Sequence, residues 1–169
     1  IYKLLPGTYL IYDGEKVAHK TFHTLSPSHE KYEKDFTSAK NELHELVLRA
    51  VEKRMVADVP VGVFLSGGLD SSTIAYFAQK VSSKKVKTFS IGFEDSSFDE
   101  RMYAKKVASE LQTEHYEAVV GPKELEDVIP KIPFILDEPM ADSSIIPTSL
   151  LSMFARKEVT VALGGDGAD

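Results

Sequence analysis

From Pro60 onward the chain alternates short apolar runs with longer stretches of helical period, and few folds accept that alternation. The run Val61 to Leu65 is followed by a helical stretch from about Ser71 to Val81, a strand Thr88 to Phe93, and a second helical stretch from about Asp99 to Gln112. A strand Tyr116 to Val120, two more helical stretches and a strand Val159 to Leu163 complete the series. Antiparallel strands can be joined by tight turns, whereas parallel neighbours need a crossover long enough to hold a helix. Strands spaced by helices therefore predict an α/β fold, an open parallel sheet with helices on both faces.

Local signals support the helices. Ahead of Pro60, residues Phe36, Ala39, Leu43, Leu46, Val47, Ala50 and Val51 recur at three- and four-residue spacing, which predicts an amphipathic helix with Thr37 or Ser38 as its cap. In the stretch after Phe93, Ser97 and Glu100 have the spacing of a capping box, and Tyr103, Ala104, Val107, Ala108 and Leu111 form one apolar stripe. Ser144 is placed to cap a helix starting near Ile145.

The chain opens differently. Thr8 to Tyr12 is rich in β-formers, Asp13-Gly14 is a hairpin signal, and Val17 begins a second run, so residues 1–25 are expected to be β pieces. A lone hairpin is marginal in water, which suggests the trailing edge of a larger sheet. Residues 26–35 are polar, charged and aperiodic and read as a linker. The remainder, 36–169, is expected to be one domain, because 169 residues with 43% hydrophobic and 27% charged side chains suffice for one α/β core but not comfortably for two.

Charge and composition exclude several roles. A formal net charge of -6 argues against a dedicated nucleic-acid or anionic-membrane surface, either of which needs clustered Lys and Arg. With no Cys, the chain has no disulfide, thiolate metal site or cysteine nucleophile of its own. No apolar stretch of about 18 residues occurs, and the first residues lack a signal-peptide pattern, so the expected location is cytoplasmic. The five histidines, His19, His23, His29, His44 and His115, show no metal-ligand spacing.

In an open parallel sheet, ligands bind beyond the carboxyl ends of the strands, so the loops after Leu65, Phe93 and Leu163 are the places to search. The first, Ser66-Gly67-Gly68-Leu69-Asp70-Ser71-Ser72, puts two glycines where a strand turns into a helix. Glycines let backbone N–H groups converge on one cavity, and a helix N-terminus adds unpaired donors and the positive end of its dipole. A phosphate or pyrophosphate suits that field. Asp70 would repel a bare polyphosphate, so Mg²⁺ is expected between them. The string lacks the Gly-Lys-Ser/Thr of a Walker A loop, which favours gripping pyrophosphate as a leaving group over transferring a γ-phosphoryl. The plainer alternative is a tight turn with Asp70 or Ser71 as helix cap, and the full seven-residue string makes it the minority reading.

Together with Val59 to Leu65 before it, the Ser66–Ser72 string resembles the pyrophosphate loop of the ATP-pyrophosphatase class, and of the asparagine synthetase family in particular. Phe89-Ser90-Ile91-Gly92-Phe93 is similar to that family's second strand. Leu136-Asp137-Glu138-Pro139 with Asp142, Ser143 and Pro147 resembles its Asp-Glu-Pro segment, and Leu163 to Asp169 its Gly-rich acidic loop. The β pieces after Leu5-Pro6-Gly7 resemble the end of the family's glutaminase domain.

The resemblance implies an adenine nucleotide α-hydrolase-like fold and an AMP-forming ligase. In the implied reaction the aspartate side chain attacks ATP to give β-aspartyl-AMP and pyrophosphate, and glutamine-derived ammonia then yields asparagine. It also implies that Leu65, Ile91, Gly164 and Gly165 contact ATP, that Ser66, Gly67, Gly68, Leu69, Asp70, Ser71 and Ser72 hold pyrophosphate, and that Asp70 and Asp169 bind Mg²⁺. Asp166 stands where many members carry a catalytic Glu. The implied partners are aspartate, glutamine or ammonia, and the glutaminase domain of the same polypeptide; a homodimer is compatible with it. Family members open on a catalytic Cys and continue past Asp169, so residues 36–169 are expected to be the first part of the synthetase domain. By itself that part is expected to bind ATP weakly at most and to lack glutaminase activity. Two alternatives stay open: a related amidotransferase or β-lactam synthetase acting on another carboxylate, and a nucleotide-binding module without chemistry.

Overall fold

The structure, a computed structural model, describes residues 2–24, 34–94, 100–137 and 140–167. The chain divides into two compact units, Ile1–Ser38 and Ala39–Asp169.

In the first unit, strands β1 (Thr8–Tyr12) and β2 (Val17–Thr21) pair antiparallel, with Thr8 opposite Thr21 and Tyr12 opposite Val17. The expected Asp13-Gly14 turn closes the hairpin. Asp13 accepts the backbone N–H groups of Glu15 and Lys16 at 3.0 and 2.8 Å, and Gly14 takes the left-handed conformation at φ +99°. Tyr12 Oη donates to the Gly14 carbonyl at 2.6 Å. Leu5, Leu10, Tyr12, Val17 and Phe22 of this unit are all exposed.

Helix α1 (Phe36–Met55) begins where the spacing predicts, but its cap is Asp35. The Asp35 carboxylate accepts the Ser38 N–H at 3.0 Å and the Ser38 hydroxyl at 2.8 Å, which makes Ser38 the partner and not the cap. The buried stripe is also rotated from expectation. Val51 is buried, Val47, Leu48 and Met55 pack beside it, and His44 meets Phe77 edge-on at 4.8 Å. Phe36, Leu43 and Leu46, from the neighbouring row, are exposed. Both rows satisfy helical period, and only the partner surface selects between them.

The second unit is built on a four-stranded sheet in the order β5-β4-β3-β6, with β3 (Val61–Phe64), β4 (Lys87–Phe93), β5 (Glu114–Val120) and β6 (Val161–Leu163) all parallel. Helices α2 (Leu69–Val81) and α3 (Arg101–Leu111) cover one face. There Val63, Leu65, Ala75, Phe77, Ala78, Ala104 and Ala108 share a core with α1. Tyr103 of the expected α3 stripe is exposed.

After β5 the chain runs through α4 (Pro122–Val128), a 3-10 turn (Ile129–Lys131) and the short α5 (Ile132–Ile135). It then reaches α6 (Ile145–Ala155), which covers the opposite face. Phe89 is fully buried there, stacked on Tyr116 at 5.2 Å and meeting Phe154 edge-on at 6.1 Å. Helices therefore lie on both faces of a parallel sheet, as the alternation predicts.

The expected cap of α6 does not form. Ser144 sits before α6 in helical conformation with no capping bond; Asp142 supplies the oxygen instead, accepting the Ser144 N–H at 2.8 Å. Glu100 precedes α3 without a side-chain cap, and Ser97, its proposed capping-box partner, lies outside the described residues. Most of the expected linker, residues 26–33, is outside them too. Among the described residues no helix is long and apolar enough to cross a membrane.

Candidate functional site

The chain leaves β3 toward β4 and β5, then returns to lay β6 on the other side of β3. The loops after β3 and β6 thus leave neighbouring parallel strands at the same carboxyl edge of the sheet, where open α/β sheets hold their ligands.

The first wall is the loop after β3. Leu65 extends the pairing, its N–H donating to the Phe89 carbonyl at 2.8 Å. The chain then turns at Gly67, φ +86°, where an added Cβ would stand 2.6 Å from the Tyr103 carbonyl carbon and the Ala104 nitrogen of α3. Only glycine meets both demands, the left-handed backbone and the close approach. Gly68 is the extended residue before α2, and no side chain caps that helix, so neither Asp70 nor Ser71 plays the capping role considered above.

The serines of this loop act first on the loop itself. Ser66 Oγ and Ser71 Oγ are 2.9 Å apart; Ser71 Oγ accepts the Ser66 N–H at 3.2 Å, and Ser66 Oγ accepts the Gly68 N–H at 3.2 Å. These bonds fix the curvature that leaves the first N–H groups of α2 pointing outward.

The second wall is Gly164 to Gly167. A Cβ at Gly165 would lie 2.8 Å from the Ser71 nitrogen and 3.0 Å from the Asp70 carbonyl carbon, so the two loops touch backbone to backbone. A Cβ at Gly164 would meet an Asp166 carboxylate oxygen at 2.7 Å, which shows that carboxylate folded back over its own loop.

Between the walls lies a cleft of ≈ 670 Å³. It is lined by nine of the residues singled out from sequence, Leu65, Ser66, Gly68, Asp70, Ser71, Ile91, Gly164, Gly165 and Asp166. Three others do not line it: Gly67 packs behind on α3, Leu69 is exposed outside it, and Ser72 turns inward. The buried Ser72 hydroxyl has no hydrogen-bond partner among the described residues. Asp169 and Glu138 lie outside the described residues. Asp142 does not reach the cleft. The backbone N–H of Ser144 holds its carboxyl below the usual carboxylate range.

The cleft also contains side chains that sequence reasoning missed, chiefly Ser90, Glu100, Arg101, Thr148 and Leu151. Ser90 alternates with Ile91 on β4, and its small size in an otherwise bulky strand was the available signal. Its hydroxyl lies 3.3 Å from His115 Nε2, while Thr88 Oγ1 lies 2.9 Å from Nδ1. Glu117 stands 3.5 Å from the same Nε2. A carboxylate only accepts, so Nε2 carries the proton and Nδ1 accepts from Thr88. Burial lowers the His115 pKa against the opposing pull of Glu117, so this pair is a hydrogen bond of a neutral imidazole rather than an ion pair.

Outward N–H groups at an uncapped helix start, two glycine-lined walls and nearby hydroxyls suit a phosphate-bearing ligand. Among the described residues no group of three or more His, Asp or Glu could cage a metal. Mg²⁺ characteristically takes one or two carboxylates and completes its shell with water and phosphate oxygens, a requirement Asp70 fits.

Residues 42–169 match the Asparagine synthase family. The chain is 43% identical over 128 residues to asparagine synthetase [glutamine-hydrolyzing] 1 of Bacillus subtilis (strain 168), covering 76% of this chain and 20% of the relative. It is 46% identical over 126 residues to a putative asparagine synthetase [glutamine-hydrolyzing] 2 of Methanocaldococcus jannaschii, covering 74% of this chain and 24% of the relative. The chain therefore spans about a fifth to a quarter of the length of these relatives. Among solved structures it resembles NMN synthetase from Francisella tularensis, with a TM-score of 0.54 at 18% identity over 76% of this chain and 55% of the other. It also resembles NH3-dependent NAD synthetase from Campylobacter jejuni, with a TM-score of 0.52 at 17% identity over 75% and 56%. At those identities the two structures establish a shared fold alone. With its family match running from Glu42 to Asp169, most of the chain, the chain belongs to the asparagine synthase family.

Proposed function

We propose that this chain carries the ATP-binding part of an amide-forming ligase, which adenylates the side-chain carboxylate of aspartate and hands it to glutamine-derived ammonia. The observation that carries the reading is the contact of the two glycine loops, Gly165 against Asp70 and Ser71, at the switch point of the sheet. A cleft walled by those two loops can hold the pyrophosphate end of ATP on the N-terminus of α2 while the carboxylates reach its edge.

In this reading the loop N–H groups and the Ser66 and Ser71 hydroxyls orient the leaving pyrophosphate. Asp70 and, in the role the family resemblance implies, Asp169 would hold Mg²⁺, which would supply charge neutralisation on that leaving group. Ile91 and Leu65 border the space for the nucleoside. In the same reading Asp166 accepts a proton from the incoming ammonia, its reach one methylene shorter than that of a glutamate.

The domain reading belongs to the same proposal. Residues 1–25 are the closing strands of a glutaminase domain, 26–35 the linker, and 36–169 the opening part of the synthetase domain. It is supported by the separation of the two units near Ser38 and by the exposed apolar side chains of the hairpin, which a larger sheet would cover.

The test is pyrophosphate release by the full-length protein with ATP, Mg²⁺, aspartate and ammonia. Wild type is expected to release pyrophosphate only when aspartate is present. Asp70→Ala is expected to lose at least about a hundredfold in rate, the scale of a lost electrostatic group at a reacting centre. Pyrophosphate release independent of aspartate, or an Asp70→Ala variant with undiminished rate, would sink the reading.

A further inference from the structure

The cleft is acidic, although the ligand proposed for it is a polyanion. Asp70, Glu100 and Asp166 line it, and Arg101 is the one basic residue among its described lining residues. Nor does the loop carry the lysine by which other phosphate loops offset charge.

Arg101 stands in an unusual place for its charge. It opens α3, where the positive end of the helix dipole disfavours a cation; the acidic Glu100 directly before it is the N-cap residue, and no further acidic residue follows in the first turn. It is also half-buried. The start of α3 is held firmly against the pyrophosphate loop, because the bare Cα of Gly67 fits into the backbone at Tyr103 and Ala104. The position of Arg101 relative to Ser66 and Gly68 is therefore set by main-chain packing. Among the described lining residues Arg101 is thus the cation held at the cleft, set against the carboxylates of Asp70, Glu100 and Asp166.

Resting on the nucleotide reading above, we propose that Arg101 is a specificity residue for polyphosphate, binding the pyrophosphate portion of ATP from the α3 side of the cleft. A planar guanidinium offers several fixed donors to phosphate oxygens and remains charged at any physiological pH. Arg101 already interacts within the protein, so phosphate oxygens join or replace that partner on binding. The consequence is discrimination by phosphate number. ATP and inorganic pyrophosphate engage Arg101, whereas AMP, which lacks the distal phosphates, does not.

The experiment compares wild type, Arg101→Ala and Arg101→Lys in the full-length protein, titrated calorimetrically with ATP, inorganic pyrophosphate and AMP in the presence of Mg²⁺. Arg101→Ala is expected to weaken ATP and pyrophosphate at least about tenfold while AMP changes less than about twofold, as loss of a charge-assisted bond to the distal phosphates alone requires. Arg101→Lys should recover part of the loss. Equal weakening of all three ligands would assign Arg101 a purely structural role and overturn the proposal, as would unchanged ATP affinity in a wild type that binds ATP. Failure of wild type to bind either ATP or pyrophosphate would instead remove the nucleotide reading itself, and this inference with it. Should Arg101→Ala not fold, judged by its thermal midpoint, Arg101→Gln keeps the side-chain stem and serves in the same comparison.

Discussion

At the scale of single residues, the site depends on side chains that are missing. Gly67 and Gly165 are legible in the sequence as glycines of a turn, but the reason each must be glycine is a neighbour far along the chain: Tyr103 and Ala104 for the first, Asp70 and Ser71 for the second. Gly167 offers a contrast, since it also has positive φ, at +80°, yet nothing lies within 4 Å of its absent Cβ. Gly67→Ala should therefore cost about 2–4 kcal/mol of stability, strain plus overpacking, and Gly167→Ala only about 1 kcal/mol, from strain alone. Denaturant unfolding of the two variants checks this, and equal losses would show that the clash at α3 is relieved by small shifts. Ser71 shows the limit of reading residues singly. It looks like a ligand donor, and it also spends its hydroxyl on Ser66, shaping the loop that presents the donors.

At the scale of elements, periodicity located every strand of the parallel sheet to within two residues at each end; the largely buried β3 and β4 read as short apolar runs, whereas the edge strands β5 and β6 are partly exposed. Helix faces were less legible. The expected face of α1 was right only in part: Val47 and Val51 pack inward as expected, but Leu43 and Leu46 are exposed and Leu48 and Met55 pack inward in their place. Caps were also misassigned, to Thr37 or Ser38 instead of Asp35 and to Ser144 where Asp142 serves, because several adjacent polar residues had the right chemistry and only backbone geometry chose between them. The layer between β4 and α6 turns on one side chain. Phe89 is 0% exposed, and its ring lies where a Cβ on Gly62 would come within 2.7 Å. Phe89→Ala should cost about 3–5 kcal/mol, as large core truncations do, with unfolding midpoint in denaturant as the measure. A loss below about 2 kcal/mol would mean that Tyr116 and Phe154 collapse into the gap.

At the scale of the whole molecule, the pH dependence of stability draws on groups in several elements. His115 is held neutral by burial, against the attraction of Glu117 and with the help of Lys105, whose ammonium lies 3.8 Å from Glu117. Its folded pKa is below the unfolded value of about 6.5, so the unfolded chain binds the extra proton and stability falls as pH drops below about 6.5. The fall levels off once pH is under the folded pKa. Asp35, Asp142 and Glu158 are shifted below the usual carboxylate range by Ser38, Ser144 and Lys87 respectively, so their contributions hold above about pH 4 and are lost only in stronger acid. They are exposed, and solvent keeps each contribution small. Thermal midpoints measured from pH 7.5 to 5 should therefore decline in wild type and decline less in His115→Gln; parallel curves would remove His115 as the cause.

The amino-acid sequence by itself determined the parallel α/β fold, the hairpin and the glycine- and serine-rich loop after β3. Each is written in local periodicity or in a contiguous string, and such signals survive without knowledge of distant neighbours. Only the tertiary structure decided which residues share the cleft. Arg101, Ser90 and Thr148 come to face Ser66 and Asp166 through the order β5-β4-β3-β6, a pairing of distant segments that no local pattern encodes. The loop that first pointed to phosphate is thus one wall of a site whose second wall arrives about a hundred residues later, and whose fixed positive charge comes from a third segment altogether.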